Sequence, residues 1–177
     1  MTGLHIRAAG MVSCVGLDAA SSCAALRGRL DGFAETRFMG PDGEWLMGAA
    51  VPLPRNWIGL KRMAHLAAGA LSDLRRQYPA ALDGAPILLC LAEETRPGRP
   101  VPDPATFTQL VAGIMGLPAP PRLQVIAHGR PSGFVALDRA RRLVAAGEDP
   151  VGILGLDSYL TAQSIAHYLG QNRLLHP

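Results

Sequence analysis

The chain is poor in lysine and in paired cysteines, and each shortage closes off a class of function. Of its 17 basic residues only Lys61 is a lysine; the others are arginines scattered against 14 acids, for a formal charge of +3. Binding through phosphates needs a concentrated basic face, so nucleic acid is not expected as a partner. Cys14, Cys23 and Cys90 are odd in number and lack CxxC spacing, which indicates neither a disulfide framework nor a zinc site. His5, His65, His128, His167 and His176 never fall three or four residues apart, so no helix offers a paired ligand face. Neither a metal nor a cofactor is expected. Long hydrophobic runs are missing too: Arg, Asp, Pro or Gly interrupts each one well before the roughly 20 residues that span a bilayer. Residues 1–7 show no basic stretch leading into an apolar one, so no secretion signal is read and a cytoplasmic location is expected.

What is present is apolar. Hydrophobic residues make up 49% and charged residues 18%, which excludes a disordered chain and predicts one folded domain over 1–177. Strand and helix signals alternate throughout, the pattern of an α/β domain. Leu4, Ile6 and Ala8 alternate with His5 and Arg7 and read as a strand running towards Gly10. Asp18 is an N-cap for a helix carrying Ala19, Cys23, Leu26 and Leu30 on one side. Gly40-Pro41-Asp42-Gly43 has turn composition, and an exposed strand over 44–51 follows. Leu60, Met63, Ala64, Ala67, Ala70, Leu71 and Leu74 recur at helical spacing, with Arg62, Asp73 and Arg76 off that face, and the helix stops near Tyr78-Pro79.

Residues 86–92 form an unbroken apolar run with the length of a strand buried on both faces. The Pro-rich stretch 96–104 cannot be regular structure and is expected as a surface loop. Phe107, Leu110, Val111, Ile114 and Met115 mark the next helix, and Leu123 and Val125 begin another strand. A helix over 134–146 turns Ala136, Leu137, Ala140, Leu143 and Val144 inward and stops at Gly147. A buried strand over 151–156 and a short helix capped by Thr161 complete the chain.

Two passages resemble the amino-terminal half of β-ketoacyl synthases, in the thiolase-fold superfamily. The first is Gly10-Met11-Val12-Ser13-Cys14-Val15-Gly16-Leu17-Asp18, followed by Cys23-Ala24-Ala25-Leu26-Arg27 and Phe33. The second is Ser132-Gly133-Phe134-Val135-Ala136-Leu137, then Ala140-Arg141-Arg142-Leu143, Gly147-Glu148-Asp149 and Ile153-Leu154-Gly155-Leu156-Asp157-Ser158, which is similar to the family's nucleophile helix and next core strand. The resemblance implies one βαβαβ half of a thiolase-like fold, with a mixed central sheet and helices on both faces. It also implies that the chain covers about half of a two-part fold and leaves an apolar face unpaired.

The same resemblance implies that catalysis is lost. The family's cysteine stands three residues before the glycine matching Gly133, and here that position is Arg130, within a degenerate turn of His128, Gly129, Arg130, Pro131, Ser132 and Gly133. A guanidinium stays protonated and offers no nucleophilic lone pair. The family's two catalytic histidines come from its other half. Ser132 with His128 as base is the substitute pair to consider; against it, Ser132 reads as a helix cap and His128 as a structural or surface histidine. Cys90, inside an apolar run, reads as inert, and Cys14 has no evident base. Arg130 either plugs a former pocket by pairing with an acid or points outward. Asp157-Ser158 reads as orienting a turn.

Thiolase-fold proteins pair through the strand before the nucleophile turn, which makes Leu123, Val125 and Ala127 interface candidates for a homodimer or another protein partner. Segments 30–38, 43–49 and 59–63 are similar to short degenerate ketosynthase-like proteins found beside type VI secretion effectors, which implies an adaptor for such an effector. The alternatives are an acyltransferase or condensing enzyme completed by a second chain, and a subunit like a chain-length factor that shapes a ketosynthase partner's tunnel.

Overall fold

The structure, a computed structural model, describes residues 3–174, so His176 lies outside the described residues. Its elements in chain order are α1 (Ala19–Arg27), β1 (Ala34–Met39), β2 (Trp45–Gly48), α2 (Gly59–Gln77), a 3-10 turn at Pro79–Leu82, β3 (Pro86–Cys90), α3 (Pro104–Met115), β4 (Arg122–Ile126), α4 (Ser132–Ala145), β5 (Gly152–Gly155) and α5 (Ala162–Gly170). β3, β4 and β5 make a parallel sheet in the order β4-β3-β5. The expected mixed central sheet is therefore corrected: the antiparallel pair, β1 with β2, is a separate two-stranded sheet closed by the Gly40–Gly43 turn.

β3 is the axis of the molecule, and all five of its residues are buried. Successive side chains of a strand point to opposite faces. Ile87 and Leu89 accordingly join Met63, Ala67 and Leu71 of α2 and Phe107 and Val111 of α3, whereas Leu88 and Cys90 meet Ile126 and the small residues Ala136 and Ala140 of α4. Burying Phe107 completely contributes about 1.5–3 kcal/mol by area removed from water. The chain steps from β3 to β4 in one direction and back past β3 to β5 in the other. With crossovers of one hand, that reversal puts α3 and α4 on opposite faces of the sheet.

Local signals held where they involved caps and repeats. Asp18 Oδ1 accepts from Ser21 N–H at 2.7 Å, Thr161 accepts from Ser164 N–H, and Gly147 takes a φ of +95°. Several tertiary expectations are corrected. Residues 4–8 form no strand, because no ladder partner lies beside them. α1 ends before Gly28 and turns Ser22 and Ala25 inward, leaving Leu26 and Leu30 exposed, because Ser22 Oγ is tied to Gly16 O and Ser13 Oγ. Leu137 is exposed on α4, whose contact with the sheet runs through its alanines. β5 is an edge strand, with Ile153 half in solvent. Asp73 is buried: its Oδ2 accepts from the N–H groups of Met11 and Ala19, and Oδ1 accepts from Arg76. The first two bonds fasten the segment at Met11 and the head of α1 to α2, and the third lies within α2.

The Pro-rich stretch before α3 has no regular structure, as its prolines require. It is nonetheless packed rather than free, with Arg96, Pro100 and Val101 buried. Pro97 O accepts from Ser164 Oγ at 2.8 Å and Gly98 O from Thr161 Oγ1, which binds the stretch to the start of α5.

Candidate functional site

In a parallel sheet, ligands settle outside the carboxyl ends of adjacent strands whose connections leave to opposite faces. Here those strands are β3, which leads to α3, and β4, which leads to α4. The loops beyond them are residues 91–94 and 127–131, so the degenerate turn stands at the switch point of the fold. The crevice that should open there is laced shut. Gly129 N–H donates to Leu91 O at 3.1 Å, and Leu91 N–H donates to Ile126 O at 2.9 Å. Gly129 adopts a φ of +67°, a left-handed conformation that favours glycine, and Glu93 lies where a Cβ would stand, with Oε2 at 2.2 Å from that point.

Ser132 is buried at the first residue of α4, and its hydroxyl is fully engaged: Oγ accepts from His128 N–H at 2.9 Å and donates to Leu91 O at 3.2 Å. The partner on His128 is the backbone amide, not the imidazole, so the two residues meet without forming a nucleophile and base. The expected capping role is also corrected. Pro131 occupies the cap position without a side-chain bond, and Ser132 stitches the turn to the end of β3 instead of receiving an N–H of its own helix. His128 and Gly133 are exposed. Arg130 is exposed, and its guanidinium makes no ion pair among the described residues, so it points outward rather than plugging a pocket.

Cys90 lies beneath this turn, its Sγ 3.5 Å from Ser132 O, and burial pushes its thiol pKa up. A raised pKa and a covered sulfur both suppress thiolate chemistry. Cys14 is half-buried and donates to Asp31 O at 3.4 Å. Among the described residues no group of three or more His, Cys, Asp and Glu side chains is arranged to hold a metal ion. No described helix is long and apolar enough to cross a membrane.

The strongest polar contact at the carboxyl ends involves a residue that the sequence did not single out. Arg96 is buried and grips Asp157 with both terminal nitrogens, Nη1 reaching Oδ2 at 2.6 Å, while Nη2 also donates to Ser158 O. Its guanidinium carbon sits 4.5 Å from the Tyr159 ring centre. The Asp157 bond raises the Arg96 pKa, so the cation is permanent. Asp157 Oδ1 also accepts from Ser158 N–H at 2.7 Å, in keeping with its expected turn-orienting role. The available signal was positional: Arg96 follows β3 and Asp157 follows β5 on the same side of a parallel sheet.

The interface candidates divide. Leu123 and Ala127 pack against the larger core cluster, and Val125 is 40% exposed. Among the described residues β4 has a strand neighbour on one side only, so its outer edge presents unpaired backbone groups. The outer side of α4 carries Phe134 and Val135 in solvent, Phe134 at 80% exposure. No protein-family model matches the chain, and no curated protein matches it either.

Proposed function

We propose that this chain is a non-catalytic, thiolase-like binding protein that works in the cytoplasm as an adaptor, engaging a protein partner along the free edge of β4 and the outer side of α4. The observation that carries the reading is the closed turn. The one hydroxyl at the switch point is committed to two backbone bonds, the thiol beneath it is buried, and an outward arginine stands where the family places its nucleophile. The free edge and exposed apolar side chains supply what binding requires. The likeness of segments 30–38, 43–49 and 59–63 to ketosynthase-like proteins of type VI secretion loci makes a secretion effector the favoured partner.

Two measurements test this. Incubating the full chain with an acyl thioester or a ketosynthase-directed thiol reagent is expected to leave its intact mass unchanged. An adduct mapped to Ser132, Cys14 or Cys90 would instead favour the condensing-enzyme reading. Co-expression with a type VI secretion effector from the same genome is expected to yield a complex that Val125→Lys, a charge on the edge strand, weakens about tenfold. A chain that purifies alone in that experiment removes the adaptor role.

A further inference from the structure

A cavity of about 490 Å³ runs along the free edge of β5. Ile153 and Leu154 face it from the strand, Leu71 and Leu74 from α2, and Leu137 and Val144 from α4. Residues 3–10 form its remaining wall. An apolar slot with a helix above, a helix below and a strand edge along its length is the environment of another strand. On this side of β5 no strand pairs among the described residues.

The wall itself has the makings of that strand. Leu4, Ile6 and Ala8 alternate with His5 and Arg7 at strand period, yet Ile6 is 92% exposed beside a cavity lined with leucines. The segment is tethered at the slot. Downstream, Ala9 O accepts from Gln77 Nε2 at 2.6 Å, and Met11 N–H donates to Asp73 Oδ2. Gly10 packs so closely on α2 that a Cβ there would lie 2.1 Å from Ala70 O. Within the segment, Arg7 donates to Asp149 Oδ2 at 2.8 Å and to Tyr78 Oη at 3.2 Å, and Asp149 stands just ahead of β5. Lengths match as well: five extended residues reach about 17 Å and the four of β5 about 13 Å.

We propose that residues 4–8 are a strap with two positions: the open one seen here, and a closed one in which they lie against β5 as a fourth strand, giving the order β4-β3-β5-strap. Closure pairs the free backbone groups of β5, carries Ile6 out of water and fills the slot from within the same chain. The bonds at Ala9 and Met11 confine the motion to residues ahead of Gly10. The Arg7–Asp149 contact keeps the strap beside the edge that it covers. Opening bares an edge of the kind that accepts extended peptides.

The test is solution NMR on the full chain. The expected result is nuclear Overhauser contacts between residues 4–8 and 152–155, with strap amides exchanging at least about tenfold more slowly than in an unstructured peptide. Ile6→Asp is expected to abolish both while Leu88 and Leu89 of β3 keep their protection. Strap amides that exchange at unstructured rates in the wild-type chain overturn the proposal, and so does protection that survives Ile6→Asp. A mixed-label sample in which the contacts run between molecules also overturns it, by placing a second copy in the slot. Should Ile6→Asp lose the β3 protection as well, the wild-type contacts and exchange rates decide.

Discussion

Ser132 and Asp73 show how a polar side chain in an apolar setting becomes structural. The Ser132 hydroxyl satisfies a backbone donor and a backbone acceptor at once, His128 N–H and Leu91 O. Ser132→Ala strands the His128 N–H and leaves Leu91 O with the Gly129 N–H alone, and an unsatisfied buried group costs about 1–3 kcal/mol. The expected outcome is a lower denaturant midpoint at unchanged slope, measured by urea unfolding. Asp73 adds a pH dependence. Burial alone would raise its pKa, but the N–H groups of Ala19 and Met11 and the Arg76 guanidinium together hold it below the ordinary 3.8. The fold therefore favours the ionised form. Its stabilisation is complete above the unfolded pKa and is lost as the pH falls through the lower folded value. Unfolding followed from pH 6 down to pH 2 is expected to show stability declining through the acid range, and Asp73→Asn is expected to flatten that decline while lowering stability at neutral pH.

Among the elements, those whose signal lies within their own residues were legible in advance. The apolar spacing of α2 and α3, the unbroken run of β3 and the caps Asp18 and Thr161 depend on neighbours within a turn or two, and each appears where the pattern placed it. Residues 4–8 and the inner side of α1 were misread because their environment is set by distant chain: β5 in one case, the Ser13–Gly16 loop in the other. Resemblance drew attention to the turn at 128–133, but its closure was not legible, since no local rule joins Ser132 to Leu91 or Gly129 to Glu93. Arg96 is the clearest omission. Its side chain holds the loop after β3 against the loop after β5, and a single ammonium cannot reproduce the two-nitrogen grip on Asp157. Arg96→Lys is expected to cost about 1–3 kcal/mol, checked by thermal unfolding, and to speed amide exchange in residues 96–103 and 157–160 ahead of the sheet.

At the scale of the whole molecule the distribution of apolar surface is uneven. α2 and α3 cover one face of the sheet with large side chains, while α4 covers the other through alanines and carries Phe134 and Val135 outward. Such a surface contributes little to the fold and much to association. Phe134→Ser is expected to leave the unfolding free energy within about 0.5 kcal/mol of wild type. Sedimentation velocity should then show weaker partner binding or self-association, whichever the wild-type chain displays.

The reversal of the chain around β3 also orders events in time. During synthesis the most deeply buried strand of the parallel sheet is made before its two neighbours, its β4 flank arrives after α3, and its β5 flank arrives only once residues 152–155 have left the ribosome. Leu89 must wait for Leu154, its register partner on β5, and the cluster around it for Leu156. A nascent chain halted inside α4 would hold a two-stranded sheet with a bare central strand, a ready target for chaperones. The strap runs the other way, made before all three strands of the sheet and given an edge to close upon only once β5 follows.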